Sequence, residues 1–286
     1  MAARLSTVSA WWFRPVARGR VAVLRTLFYA FIFVDVFLTT SWVARHVVVD
    51  GALYQPLFLG RVLPLPVPTP GLIRAVQILL LVAAAVALSG KLPRVAGASV
   101  FFLYLEWMFI AMSYGKVDHD RVAFLVALAV LPTAGAARWG DRSESEQAGW
   151  AIRSIQVAVV ATYFLAAFAK LRFGGPEWVN GATLMRAVLR RGTYLAEPLK
   201  DHPWTLRVTQ YFIMAFELVS PLLLVRGRIG KAFLIVAFAF HAMTYATITI
   251  IFLPHIMCLL AFLPLERLEV PAVLDRFRKP APMRTA

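Results

Sequence analysis

The sequence predicts an all-α integral membrane protein, a polytopic bundle of about eight transmembrane helices with no soluble domain. Two compositional observations support this class: 60% of the 286 residues are hydrophobic, and only 16% are charged. Soluble domains are about 45–50% apolar and about 25% charged. The third observation is that the chain divides into apolar runs close to the length that crosses a bilayer. No stretch alternates like an outer-membrane strand, so we expect the spans to be helices.

The chain carries a formal net charge of +15. In a membrane protein an excess of Lys and Arg is typical of cytoplasmic loops, which face the anionic leaflet. The charge therefore does not indicate nucleic-acid binding. The single cysteine, Cys258, excludes an intrachain disulfide framework and a cysteine-based metal site. We expect no metal in this protein.

Eight apolar runs are candidate spans, because each approaches the ~20 residues that a helix needs to cross the hydrocarbon core. The last two runs form one apolar segment that Pro254 interrupts. At ~1.5 Å per residue this segment is too long for one span. It predicts either two short spans or one span with a re-entrant segment. The eight runs are residues 22–44, 72–89, 95–114, 120–137, 151–170, 207–225, 231–248 and 250–265.

Lys and Arg residues in the short loops predict the orientation of the chain. Counting eight spans places all of the basic short segments on one side of the membrane, which is then the cytoplasmic side. Both termini are therefore expected in the cytoplasm, with the transmembrane domain at residues 21–266. The basic segments on this side are the leader 1–20, the loops 90–94, 138–150 and 226–230, and the tail 267–286.

The two long segments on the opposite side differ in composition. Segment 45–71 is rich in proline (LPLPVPTP), and we expect it to lie over the membrane surface. Segment 171–206 carries several arginines although it falls outside. It contains the amphipathic stretch WVNGATLMRAVLRR, which predicts an interfacial helix within the outer loop.

Ionisable residues within the apolar spans are functional candidates, because charge is costly at that depth. Arg25 and Arg153 lie near the inner ends of their spans, so the plainer interpretation is that both snorkel to the interface. The carboxylates of Asp35 and Glu106 have an alternative as interhelical contacts, paired with an arginine or a hydroxyl.

Glu217 and His241 lie near the middle of consecutive spans that a very short loop joins. We expect these two side chains to face each other in the interior, where a charge is tolerated only with a partner. The alternatives are an interhelical contact for Glu217 and a satisfied packing residue for His241. His255 lies early in the last short helix.

His119 and Lys170 are the pair with the clearest chemistry. His119 opens the fourth span and Lys170 ends the fifth, and the short loop 138–150 makes these helices antiparallel neighbours. The two side chains can therefore meet at one depth near the outer face. A lysine held in an apolar setting can act as a general base near neutral pH. The alternative is that Lys170 is a snorkelling anchor.

Four stretches occur in the order found in a known family of membrane proteins. VDHDRVAFLVAL places a histidine at the opening of a span, and YFLAAFAKLRFGGPEWVNG follows an aromatic-rich span with Lys-Leu and then a tryptophan. FELVSPLLL and FHAMTYATITIIFLPHIM complete the series, and VAVLRTLFY lies near its start. Together they resemble the HTTM (horizontally transferred transmembrane) domain family, which includes vitamin K-dependent gamma-carboxylase.

The resemblance implies a lyase-type enzyme of a bacterial inner membrane. Such an enzyme binds a quinol, a vitamin K-type hydroquinone, and uses oxygen to convert it to an epoxide. This reaction is coupled to carboxylation or another modification of a small peptide or protein. By resemblance Lys170 is the base and His119 its helper. The resemblance also suggests cofactor-binding roles for His241, Glu217, Trp178 and Glu106.

Other classes of function stay open from the sequence. Thr244 and Ile251 stand where the family often has Asn and Gly, so the substrate is not determined. A non-catalytic accessory or peptide-maturation factor could reuse the same fold. A transporter is the third alternative, but we find neither an inverted repeat nor charges that form a path across the bilayer.

Overall fold

The computed structural model describes residues 2–63 and 65–268, and it is 77% helical with almost no sheet. The predicted tail from residue 269 onward lies outside the described residues. The α-helices in chain order are α1 (Ala2–Trp12), α2 (Arg18–Val34), α3 (Phe58–Val62), α4 (Pro70–Leu88), α5 (Pro93–Met112), α6 (Val122–Val130), α7 (Glu146–Gly174), α8 (Ala182–Arg191), α9 (Pro203–Leu218), α10 (Arg228–Ile248) and α11 (Leu253–Leu259).

Among the residues that the structure describes, five helical segments are long and apolar enough to cross a membrane, which agrees with an all-α polytopic membrane protein. They are α2 with its continuation to Thr39, α4, α5, α7 and α10. The other three predicted spans are shorter helices. α6 has 9 residues and α9 has 16, and α11 is part of a short apolar segment, Leu253–Phe262. At ~1.5 Å per residue none of these α-helices reaches the ~30 Å of the hydrocarbon core. The count of eight spans stays a prediction.

The helix boundaries follow local capping chemistry. Thr69 caps α4, because its hydroxyl accepts a hydrogen bond from the Leu72 N–H at 3.2 Å. The break between α10 and α11 lies at the predicted boundary between the runs 231–248 and 250–265, and not at Pro254. α10 already ends at Ile248, and Thr249 takes a left-handed conformation. Pro254 lies in the first turn of α11, where a missing N–H costs little. The break therefore precedes the proline.

A short β-ladder fixes the N-terminal segment. Strand β1 (Val16–Ala17) pairs antiparallel with β2 (Glu144–Ser145), directly before α7. Arg153 of α7 reinforces this contact, since its guanidinium donates to the carbonyl oxygen of Arg14 at 2.7 Å. Arg153 is 7% exposed. The expectation that Arg153 snorkels to the interface is therefore wrong.

Arg25 of α2 is also buried rather than snorkelling. Its two terminal nitrogens donate to the carbonyl oxygens of Leu131 and Gly135, at 2.5 and 2.6 Å. These carbonyls belong to the 3-10 turn Leu131–Ala134 and the residue that follows it. Arg25 thus donates hydrogen bonds to carbonyl oxygens at the C-terminal end of the helical segment that begins with α6, where carbonyls lack partners within the helix.

The bundle has a protein-facing centre and a rim that presents apolar surface. In its most apolar 18-residue stretch, α2 with its continuation has 61% of its residues buried. The corresponding stretches of α4 and α10 have only 28% and 22% of their residues buried. Exposed Leu79 and Val82 of α4, and Ile235 of α10, are typical of a face toward lipid. α5 packs between α4 and α6, and α7 packs against α6 and α9. The shared core of these helices positions the residues of the site described below.

Gly97 marks the closest approach of α5 to its neighbours. A Cβ atom at this position would lie 2.6 Å from the Tyr29 hydroxyl and 2.7 Å from Cγ of Pro132. Since the proline ring cannot move aside freely, we expect Gly97→Ala to lower the unfolding free energy by about 1–3 kcal/mol. Gly71→Ala in α4 is the control, because its Cβ would meet nothing within 4 Å. Thermal melting in detergent compares the two, and equal melting temperatures would contradict the tight contact.

Candidate functional site

A cavity of about 180 Å³ lies where α7, α9, α10 and α11 meet the turn that precedes α6. Larger clefts occur elsewhere, but this one gathers three histidines, two carboxylates and a lysine from segments distant in sequence. Its lining residues are His119, Asp120, Thr162, Tyr163, Ala166, Lys170, Glu217, Phe240, His241, Phe252 and His255.

Lys170 and Glu217 form an ion pair in the wall of this cavity. The ammonium of Lys170, on α7, donates to both carboxylate oxygens of Glu217, on α9. The side chain of Glu217 is 7% exposed and that of Lys170 is 24% exposed. A carboxylate in direct contact supplies the counter-charge that makes a partly buried ammonium tolerable. Glu217 and His241 both line this cavity, as expected for side chains that face each other, but the charge partner of Glu217 is Lys170 and not His241.

Trp178 supports the ammonium from the other side. The Lys170 nitrogen lies 5.2 Å from the centroid of the indole ring, within the range of a cation–π contact. Gln210 of α9, which is fully buried, donates to the Trp178 carbonyl oxygen at 2.5 Å. This bond holds the 3-10 turn Pro176–Val179 against α9. Trp178 thus contacts the site through Lys170 and is not part of the cavity lining.

Tyr163 and two histidines form the opposite wall. The Tyr163 hydroxyl lies 2.6 Å from Nε2 of His241, and the tautomer of His241 decides which group donates. The ring of His255 packs edge-on against Tyr163, with centroids 4.4 Å apart. Nδ1 of His241 and both ring nitrogens of His255 are buried without a hydrogen-bond partner in the described residues. Because such atoms normally find partners, they are candidate contacts for a bound molecule.

His119 lines the same cavity as Lys170, at the start of the 3-10 turn His119–Arg121. Its ring lies 6.4 Å from that of Phe252, centroid to centroid. No hydrogen bond joins His119 to Lys170 within the part of the chain described. The structure thus brings the two predicted residues to one cavity without a direct contact.

Glu106 is the predicted site residue that lies elsewhere. It is a half-buried residue of α5, and it does not line the cavity. The structure does not bring its side chain together with the other predicted site residues. Its suggested role in cofactor binding is therefore not supported by position.

The sequence interpretation missed Tyr163 and did not assign His255 to the site. The spacing of Tyr163 contained a usable signal: Tyr163, Ala166 and Lys170 are three and four residues apart, which places them on one face of α7. His255 lies inside one of the stretches that resemble the HTTM family. Its early position in α11 brings it beside Tyr163, because α11 packs against α6 and α7.

A buried charge network stands directly behind the His119 turn. Arg121 donates to both carboxylate oxygens of Asp35, at 2.7 and 2.8 Å. The Tyr104 hydroxyl also donates to Asp35, at 2.9 Å. Asp35 is fully buried and Arg121 is 7% exposed at its side chain. The interhelical role considered for Asp35 is confirmed, and it fixes the His119–Arg121 turn to α2 and α5.

The chemistry of the site is acid–base and aromatic. Across the residues that the structure describes, no group of three or more His, Cys, Asp or Glu side chains could hold a metal ion. The cavity instead offers an ion pair, a tyrosine–histidine hydrogen bond and apolar rings. These groups can bind a small polar-edged aromatic molecule and exchange a proton with it.

Comparison with known proteins agrees with this architecture. No curated protein and no solved structure matches the chain significantly. The HTTM domain family matches residues 13–266, which include the whole cavity and the Asp35–Arg121 pair. Since this match covers most of the sequence, the chain belongs to the HTTM domain family.

Proposed function

We propose that this protein is a membrane enzyme that binds a quinol in the Lys170 cavity and oxidises it with oxygen. The observation that carries the proposal is the Lys170–Glu217 ion pair, buried in one cavity with Tyr163 and His241. Catalytic acids and bases are typically found where buried ionisable groups converge in an enclosed site. Membership of the HTTM domain family supports the fold. The choice of reaction rests on the resemblance to gamma-carboxylase.

The reaction balances with one oxygen molecule: a hydroquinone and O2 give the quinone epoxide and one water. By the resemblance to gamma-carboxylase, we include as the second half of the proposal that this oxidation drives carboxylation of a small peptide or protein by carbon dioxide. The cavity of about 180 Å³ is below the ~300–1,000 Å³ of drug-sized sites. It therefore fits the ring system of a vitamin K-type hydroquinone better than its isoprenoid tail, which would extend into lipid.

The ion pair revises the role of Lys170. A lone amine was expected as the base, but Lys170 and Glu217 act better as one unit. Lys170 can pass its own proton to the Glu217 carboxylate, and its neutral amine can then take the proton of a quinol hydroxyl. The ammonium is then free to pair with the quinol oxygen anion. Trp178 keeps the ammonium in place through its ring face.

The other groups of the cavity are placed to orient the substrate. His119, on the turn before α6, and His255, on α11, can hydrogen-bond quinol oxygens. Phe240 and Phe252 supply apolar walls for its rings. This combination of apolar walls and a few hydrogen-bonding side chains is typical of small-ligand sites, in which the polar groups fix the orientation of the ligand.

Tyr163→Phe tests the tyrosine–histidine contact. Removing the hydroxyl leaves Nε2 of His241 without its partner in a buried site, which costs about 1–3 kcal/mol. We expect weaker quinol binding, measured in reconstituted vesicles, with little change in insertion. Tyr245→Phe is the matched control, because Tyr245 is an exposed tyrosine on the same helix as His241. Equal binding by both variants would show that the contact does not serve the ligand.

Two measurements test the function itself. Lipid extracted from the purified protein is expected to contain a bound quinone, found by chromatography. Vesicles that hold the protein and a reduced naphthoquinol are expected to consume oxygen faster than empty vesicles and to form the epoxide. A stable co-purified peptide with no quinone and no oxygen consumption would instead support a non-catalytic accessory role.

We infer that the protein is a multi-pass protein of the cell membrane with both termini in the cytoplasm. The support is the concentration of Lys and Arg in the leader and the short loops. A reporter fused after Ala286 is expected to be active only in the cytoplasm. A signal from the opposite side would mean that segment 231–265 crosses the membrane an odd number of times.

A further inference from the structure

A second cavity, of about 310 Å³, lies at the opposite end of α6 from the Lys170 site. It is enclosed by α2, the end of α4, the start of α5 and the segment that follows α6. Arg25 and Tyr29 of α2 line it, together with Arg138. Among the residues that the structure describes, no aspartate or glutamate lines this cavity.

Like Arg153, and unlike Arg121 and Lys170, Arg25 contacts no carboxylate among the described residues. Arg121 and Lys170 each contact a carboxylate. Arg25 is 7% exposed, yet its partners within the described chain are two neutral carbonyl oxygens, of Leu131 and Gly135. A buried charge without a counter-charge is costly. The cavity therefore contains a buried positive charge that contacts no carboxylate, and the exposed Arg138 also lines it.

Two hydrogen-bond donors of the same cavity residues are also unused. Nε of Arg25 and the hydroxyl of Tyr29 are buried and have no partner in the described structure. Tyr29 is 1% exposed, so water outside the protein does not reach it freely. The carbonyls of Leu131 and Gly135 already occupy the terminal nitrogens of Arg25. Its Nε–H is thus the donor that stays available.

We propose that this cavity binds a phosphate-type oxyanion. Arg25 supplies the buried positive charge and the Nε–H donor, Tyr29 supplies an O–H donor, and Arg138 attracts the anion at the rim. Guanidinium groups and hydroxyls are well suited to phosphate oxygens. The chemistry is shared by an anionic lipid headgroup and by free phosphate, and basic pockets between transmembrane helices are known to hold headgroups.

The test measures the melting temperature of the full-length protein in neutral detergent. Phosphatidylglycerol, phosphatidylcholine and inorganic phosphate are each added at matched ionic strength. A ligand that binds the folded state raises the melting temperature in proportion to its occupancy. We expect phosphatidylglycerol to raise it and phosphatidylcholine to leave it unchanged. A rise with inorganic phosphate alone would equally support the oxyanion site and would identify free phosphate as its ligand.

Three variants distinguish binding of the anion in the cavity from non-specific attraction of the anion to the basic surface. Tyr29→Phe removes only a hydroxyl that makes no hydrogen bond in the described structure, and Arg138→Gln removes the rim charge. Each is expected to weaken the apparent affinity about tenfold. Arg142→Gln, an exposed arginine of the same segment that does not line the cavity, is expected to keep the parent affinity.

The proposal is overturned by either of two results. One is a melting temperature that neither phosphatidylglycerol nor inorganic phosphate changes. The other is an equal rise in the parent and all three variants, because a non-specific attraction to the basic face would not depend on Tyr29 or Arg138.

Discussion

Lys170→Arg is expected to leave the fold and the contact with Glu217 intact and to lower quinol turnover by about 10²–10⁴-fold. Arginine keeps the positive charge, and its planar group pairs with a carboxylate through two parallel hydrogen bonds. It therefore preserves every structural role that the lysine has in the described structure. It does not release its proton in proteins, so it cannot take part in proton exchange.

Three further variants help to determine why Lys170→Arg loses quinol turnover. Lys231→Arg, at an exposed lysine of α10, is the control and should keep the parent rate. Glu217→Gln should also abolish turnover, because the ammonium then has no carboxylate to receive the proton. His119→Ala should lower the rate less, since water can replace part of a hydrogen-bonding side chain. The readout is quinol consumption under oxygen in reconstituted vesicles, with melting temperature as the measure of folding.

A Lys170→Arg enzyme with the parent rate would contradict the proposed role of the lysine amine. If Glu217→Gln were inactive in the same assay, the carboxylate alone would be the proton acceptor. If both were active, the pair would serve only to hold α7 against α9. The three outcomes are distinct, because each requires a different combination of rates in variants that share one fold.

The sequence predicts the long spans well, because a window of apolar residues measures the property that crossing a bilayer requires. α4 and α5 begin and end within about two residues of the predicted runs, whereas α7 (Glu146–Gly174) extends beyond the predicted run 151–170 at both ends. The shorter helices were harder to place. α6 and α9 each end in a 3-10 turn that contains a proline, at Pro132 and Pro221. Hydropathy does not distinguish such a turn from a continuing helix.

The sequence predicted several of the residues that line the site, but it did not predict which of them contact each other. Depth along each span placed Glu217 with His241 near mid-span and Lys170 with His119 near the outer face, as two separate pairs. Which of them touch depends on how each helix is rotated about its axis. A helix that is apolar on most of its surface has no polar stripe to reveal that rotation. The choice of Lys170 rather than His241 as the partner of Glu217 therefore required the structure.

Burial of Arg25 and Arg153 could not be inferred for a related reason. A position near the end of a span is compatible with a side chain that reaches the interface. Both arginines instead bond to carbonyl oxygens of segments more than 100 positions away, at Leu131 and Arg14. Such contacts depend on where the chain returns in space, which the local sequence does not encode.

Asp35→Leu is expected to lower the unfolding free energy by about 3–5 kcal/mol, because it leaves Arg121 buried without a carboxylate. Asp35 is fully buried and holds Arg121 through two hydrogen bonds. The measurement is denaturation of the purified protein in mixed micelles. Glu197→Leu is the control: Glu197 pairs with Lys200 at the surface, where loss of an exposed pair costs no more than about 1 kcal/mol.

The double variant Asp35→Leu/Arg121→Met separates the cost of an unpaired charge from the value of the pair. Replacing both partners by apolar groups is often neutral or stabilising, so we expect most of the lost stability to return. The network also holds the turn that carries His119, so quinol turnover should stay low in the double variant even when it folds. If Asp35→Leu melts like the parent, the arginine has another partner or reaches solvent. The network would then have no part in positioning His119.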